Sequence, residues 1–105
     1  MTHTTTIYAG LFDQHTHTQL IETATALQLV TDLVLSRFGG ATLSQTHGVY
    51  THADGSMVVE PSLRVELLTS DADQVLVAEL VADIKRILNQ ESVLLTRSLA
   101  EVSFV

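Results

Sequence analysis

The spacing of apolar residues changes period several times along this chain, and the order of the changes predicts its elements. From Thr4 to Phe12, Ile7, Ala9 and Leu11 alternate with Tyr8, Gly10 and Phe12, the period of two that suits a strand whose faces meet different surroundings. The polar stretch Asp13 to Thr18 breaks that pattern. From Thr23 to Phe38, Ala26, Leu27, Val30, Leu33, Val34 and Phe38 fall on one side and Thr25, Gln28, Asp32 and Ser36 on the other. At about 100° per residue this is a helix lying on a core. Gly39-Gly40 is expected to end it by taking the left-handed conformation at little steric cost.

Ala41 to Tyr50 reads as a second strand, Asp54-Gly55 as a turn, and Met57 to Leu68 as a third strand paired with the second. Pro61 lies inside that third run and has no N–H to give to a ladder, so its surroundings are expected to be a sheet edge or a bulge. Ser70 with Asp73 three residues on forms a variant capping box. It opens a helix that runs to about Asn89, with Leu76, Val77, Leu80, Val81, Ile84, Ile87 and Leu88 on its apolar face. Acidic Asp71 and Asp73 at its start and basic Lys85 and Arg86 near its end complement the helix dipole. Ser92 to about Thr96 is the last strand, and Leu99 to Val105 either extends it or forms a separate edge.

The order β-α-β-β-α-β predicts a ferredoxin-like α+β fold, an antiparallel four-stranded sheet with both helices on one face. A chain of 105 residues suits a single domain, residues 1–105, around one core. Two helices on one face leave the other face uncovered. With Leu63, Val65 and Leu67 inward on the third strand, the outward set is Ser62, Arg64, Glu66 and Leu68, too polar for a core and too apolar to be only wetted. Such faces are commonly closed by a second copy, so a homo-oligomer is expected, an isologous dimer before a trimer.

Composition narrows the function classes. Twelve acidic residues against five basic ones give a net charge of −7, and Arg37, Arg64, Lys85, Arg86 and Arg97 are scattered. Binding nucleic acid draws its free energy from clustered cations, so nucleic acid and anionic membranes are disfavoured as partners, and a basic protein is the partner that the charge allows. Cysteine is absent, which removes disulfides and thiolate chemistry. Charged and polar residues interrupt both helical segments, so neither is a spanning segment. The start has no basic end followed by an apolar run, and a cytoplasmic protein is expected.

Five histidines raise the question of a metal. His15 and His17 would project to one side of an extended segment, and His47 and His52 flank the hairpin turn, with Asp13, Asp54 and Glu60 as further oxygen ligands. The spacing matches no zinc signature, so no metal site is assigned, and His15, His17 and His52 stand as its weak candidates. A second constellation is Tyr8, His47, Tyr50, Arg64 and Glu66, with His52 beside it on the hairpin. If the outward faces of adjacent strands align, a base, a cation and a carboxylate come within reach of one another, enough to hold a small ligand. The alternative is a surface ion pair between Arg64 and Glu66. There is no Gly-x-Ser-x-Gly elbow, and Gly39-Gly40 follows a helix instead of opening one, so it is not a phosphate loop. No motif implies a cofactor.

The runs Gly48 to Gly55, Leu63 to Glu66 and Leu88 to Val93 resemble small uncharacterised proteins of low-GC Gram-positive bacteria, a likeness extending from Ile7 to about Thr96. That resemblance implies no activity. His52, Asp54, Arg64 and Glu66 match its recurring pattern. Length and element order are also similar to the ferredoxin-like trimers of the nitrogen-regulator PII and divalent-cation-tolerance CutA type, although their long nucleotide-binding loop between the second and third strands is missing here. The sequence therefore reads as a self-associating binding or structural module that uses its open sheet face, more a module than an enzyme. The alternatives are a small enzyme or metal-binding protein built on the hairpin histidines with Arg64 and Glu66, and an acidic inhibitor or adaptor of a basic protein.

Overall fold

The computed structural model describes residues Met1–Val105. Its elements run β1 (Thr2–Gly10), α1 (Thr23–Leu35), β2 (Thr42–Thr51), β3 (Met57–Ser70), a 3-10 turn (Asp71–Asp73), α2 (Gln74–Ile87) and β4 (Leu94–Leu99). The strands form one four-stranded sheet in the order β2-β3-β1-β4, every neighbouring pair antiparallel. This is the ferredoxin-like arrangement that the sequence pattern predicts, with both helices over one face.

Parity along each strand decides what that face carries. Ile7 and Ala9 on β1 and Leu63, Val65 and Leu67 on β3 are buried together with Ala26, Val30 and Val34 of α1 and Leu80, Ile84 and Leu88 at α2. Leu27, Leu33, Phe38, Leu43 and Val81 pack around this cluster. Where the core meets the end of β3, the buried hydroxyls of Thr5 and Thr69 satisfy each other at 2.9 Å. The helices are also tied by charge, since Arg37 at the end of α1 reaches Asp83 of α2 at 2.5 Å and Glu79 at 3.5 Å. Hydrogen bonds from Arg37 and Arg86 hold the Asp83 carboxyl below the usual aspartate range. Asp83 therefore contributes stability at neutral pH that is lost as pH falls through its lowered pKa.

Several boundaries differ from the pattern reading for local reasons. The Ser70 amide donates to the Asp73 carboxylate at 2.7 Å as the capping box predicts, but the first turn it opens is 3-10 in character and α2 starts at Gln74. Helix α1 ends at Leu35, and the amides of Arg37 and Phe38 close onto the Val34 carbonyl. Neither Gly39 nor Gly40 takes a positive φ, which corrects that expectation. The left-handed residue is instead Asn89, at φ 48°, just beyond the end of α2, a role that asparagine fills next after glycine.

Pro61 meets the edge form of its expectation and not the bulge: β3 is an inner strand and its register with β2 passes through Pro61 opposite His47, but its pairing with β1 stops at Ser62. The Pro61 carbonyl accepts from the Leu11 amide at 2.9 Å, beyond the last β1–β3 pair, Gly10 with Ser62. In an antiparallel strand a residue's N–H and C=O point the same way, so the missing N–H faces β1 where that strand is leaving the sheet, and no β2 bond is lost. At the other end of the chain, Leu99 to Val105 adds no further edge strand: β4 stops at Leu99, and the Ala100 amide makes one more bond to the Thr2 carbonyl. No helix is long and apolar enough to cross a membrane.

Candidate functional site

The helix-free face of the sheet carries the alternate residues, Tyr8 and Gly10 on β1, Thr46 and Tyr50 on β2, and Glu60, Ser62, Arg64 and Glu66 on β3. Tyr8 stands opposite Arg64, and Thr46 opposite Ser62 with their hydroxyls 2.7 Å apart. Arg64 donates from Nε to the Tyr8 hydroxyl at 3.4 Å and from a terminal nitrogen to the Glu66 carboxylate. The bonds to Tyr8 and then Glu66 raise the Arg64 pKa, so its charge is fixed and already neutralised. Tyr8, Arg64 and Glu66 thus come together as the outward-face reading expects.

His47 does not join them. It is the next residue after Thr46, so strand alternation turns it to the helix side, where it is exposed. Tyr50 and His52 meet each other edge to face, with ring centroids 5.7 Å apart, at the start of the hairpin tip. Gly55, at φ 87°, makes the turn, and Ser56 donates twice to Asp54, which lowers the Asp54 pKa.

Beside Tyr50 and His52 opens a cleft of about 550 Å³, lined by Phe12, Asp13, Gln14, His17, Tyr50, His52, Val58, Glu60, Gln90, Glu91 and Ser92. One wall is the loop after β1. Its tight turn comes from Asp13, whose carboxylate accepts from the amides of His15 and Thr16 while its carbonyl accepts from His17, itself at φ 56°. Asn89 donates to the other Asp13 oxygen at 2.6 Å, and the Gln90 amide group donates to the Phe12 carbonyl at 2.6 Å. The left-handed Asn89 at the end of α2 therefore pins this wall. Those donors, Asn89 first, hold the Asp13 carboxyl below the usual range, so it is an anion at neutral pH.

The other wall centres on Glu60, whose carboxylate accepts from the Phe12 amide at 2.9 Å. To get there it crosses Gly10: a Cβ built on that glycine would lie 2.5 Å from the carboxylate carbon. Glycine inside a strand commonly marks such a close approach, the one signal in the sequence that could have pointed to this pairing. Asp13, Glu60 and Glu91 line the cleft and no lysine or arginine does, so its field favours a positively charged guest over a phosphate. No group of three or more His, Cys, Asp or Glu side chains is placed to hold a metal ion. His15 and His17 are exposed on the turn and His52 is across the cleft at the hairpin, so the weak metal candidates do not converge.

Comparison with solved structures identifies the same fold in a phage SAM lyase. Its complex with S-methyl-5'-thioadenosine aligns with a TM-score of 0.67 at 23% identity, covering 92% of this chain and 80% of that one. A phage SAM lyase in its apo state aligns with a TM-score of 0.69 at 20% identity, with 91% of this chain and 78% of that one covered. A search of the curated proteins finds no match. Residues 4–104 match the profile of the family described as a protein of unknown function, DUF3574, so this chain belongs to that family.

Proposed function

We propose that the protein is a small-molecule-binding module that takes an adenosyl thioether or sulfonium compound in the cleft beside its open sheet face. The observation that carries this reading is the lining, in which aromatic side chains and carboxylates meet with no cation among them. Phe12, Tyr50 and Val58 offer flat or apolar surface to a base, and Gln90, Glu91 and Ser92 offer acceptors to ribose hydroxyls. The volume, about 550 Å³, lies within the usual range for such ligands. A nucleotide would bring phosphates against Asp13, Glu60 and Glu91, whereas a thioadenosine brings none. The shared fold with a SAM lyase that binds S-methyl-5'-thioadenosine supports the choice within this class.

Calorimetric titration with S-methyl-5'-thioadenosine should register binding, and AMP should not. Tyr50→Ala should weaken the thioadenosine by roughly tenfold or more, the range found for losing an aromatic stacking platform. No heat with the thioadenosine, or AMP binding equally well, would remove the reading. Release of S-methyl-5'-thioadenosine from added S-adenosylmethionine would move it from binding to catalysis, the rival that the sequence leaves open.

A separate observation favours self-association. Beyond the helices the β2–β3 hairpin extends as an arm, with Val49 opposite Val59 and Met57 next to them on one side, all largely exposed. An apolar cluster of this kind, contiguous across two paired strands, suits a second copy of the chain better than water. Light scattering coupled to size exclusion should give twice the chain mass or a higher multiple, and Val49→Asp with Val59→Asp should return it to the monomer. A wild-type monomer at high concentration would defeat this part.

A further inference from the structure

We infer that Glu60 selects for a fixed positive charge on the ligand's sulfur, and that Gly10 is the positioning residue that makes this selection possible. The inference rests on the cleft reading above and deepens it. Glu60 is half-buried, and unlike Glu66, Glu79 and Asp83 it pairs with no arginine or lysine. One carboxylate oxygen accepts from the Phe12 amide, and the other has no hydrogen-bond partner in the protein. That bond holds the carboxylate at the cleft wall, where no lysine or arginine shares its charge.

The tether depends on the strand beneath. Each of the three Glu60 carboxylate atoms lies 2.5–2.6 Å from the place where a Cβ on residue 10 would be. Any side chain there must push the carboxylate away from Phe12. The Gly10 gap, the Phe12 amide and Glu60 form one device, assembled from residues fifty positions apart by the β1–β3 register. A sulfonium differs from its parent thioether by one methyl group and a full positive charge, and a fixed, uncompensated carboxylate reads the charge, which packing around the methyl does not.

Titration with S-adenosylmethionine and S-adenosylhomocysteine reads this selectivity as a ratio. The wild type should prefer the sulfonium by roughly tenfold at low salt, with the ratio shrinking as salt rises. Glu60→Gln keeps an oxygen for the Phe12 amide and should bring the ratio close to one with an unchanged melting temperature. Gly10→Ala should lower the ratio as well, while Asp54→Asn on the remote hairpin turn should leave it alone. If Gly10→Ala fails to fold, Glu60→Gln still decides. Equal wild-type affinity for the two ligands, or a ratio that survives Glu60→Gln, would overturn the inference and leave the cleft reading standing. Binding of neither ligand, nor of S-methyl-5'-thioadenosine, would overturn both.

Discussion

Leu80→Ala is expected to lower the unfolding free energy by about 2–5 kcal/mol, the range for truncating a fully buried leucine. Leu80 is wholly inaccessible on the inner side of α2, among Ile7, Val65, Val30 and Ile84 in the one cluster that joins both helices to the sheet. The hole left behind has rigid neighbours on the sheet side and another helix beside it, so little collapse can offset it. Small domains hold roughly 5–15 kcal/mol in all, so this one side chain carries a large share. The effect should also reach the cleft. The end of α2 presents Asn89 and Gln90, which hold Asp13 and the Phe12 carbonyl, and a loosened helix loosens that wall. Urea unfolding would give the stability change, and thioadenosine affinity the second effect. A variant within 1 kcal/mol of wild type would contradict the core described here.

The periodic elements were legible because each is specified by contacts on its own segment. Alternation along Thr4 to Phe12 and the 3.6-residue period of Leu76 to Leu88 need no knowledge of neighbours, and the inward set Leu63, Val65 and Leu67 follows from parity alone. The misreadings share a different cause. Gly39-Gly40 looked like the helix end because glycine tolerates a left-handed φ, but α1 had closed onto Val34 before reaching it. Pro61 does meet an edge, but the sequence does not reveal that the edge arises within an inner strand, where β1 leaves the sheet one residue earlier.

The candidate site was half legible for the same reason. Tyr8, Arg64 and Glu66 share a face once the strands pair, and the pairing follows from the hairpin and the fold order. His47 fails by a single residue of parity against Thr46. Glu60 was visible only as a possible oxygen ligand for a metal, and its meaning depends on Gly10 and Phe12, about fifty residues away, meeting it in register. No local pattern encodes a contact of that separation. The wall formed by Asn89 and Gln90 was missed because it depends on the direction in which α2 ends, which a left-handed asparagine sets.

Thr5→Val and Thr69→Val test whether the core also carries a polar specification. Both residues are almost fully buried, and their hydroxyls bond to each other across β1 and β3 at 2.9 Å. Valine has the shape of threonine, so neither change opens a cavity. Each single variant leaves the remaining buried hydroxyl without its observed partner, at a cost of about 1–3 kcal/mol. The double variant removes donor and acceptor together and replaces them with two methyl groups in contact. It should lie within about 1 kcal/mol of wild type, less destabilised than either single change. This non-additive order, measured as denaturation midpoints at equal slope, separates a mutually satisfied pair from two independent packing positions. Single variants as stable as wild type would mean that each hydroxyl has another partner, and a double variant with the summed loss of both would mean that the pair contributes through shape and not through its hydrogen bond.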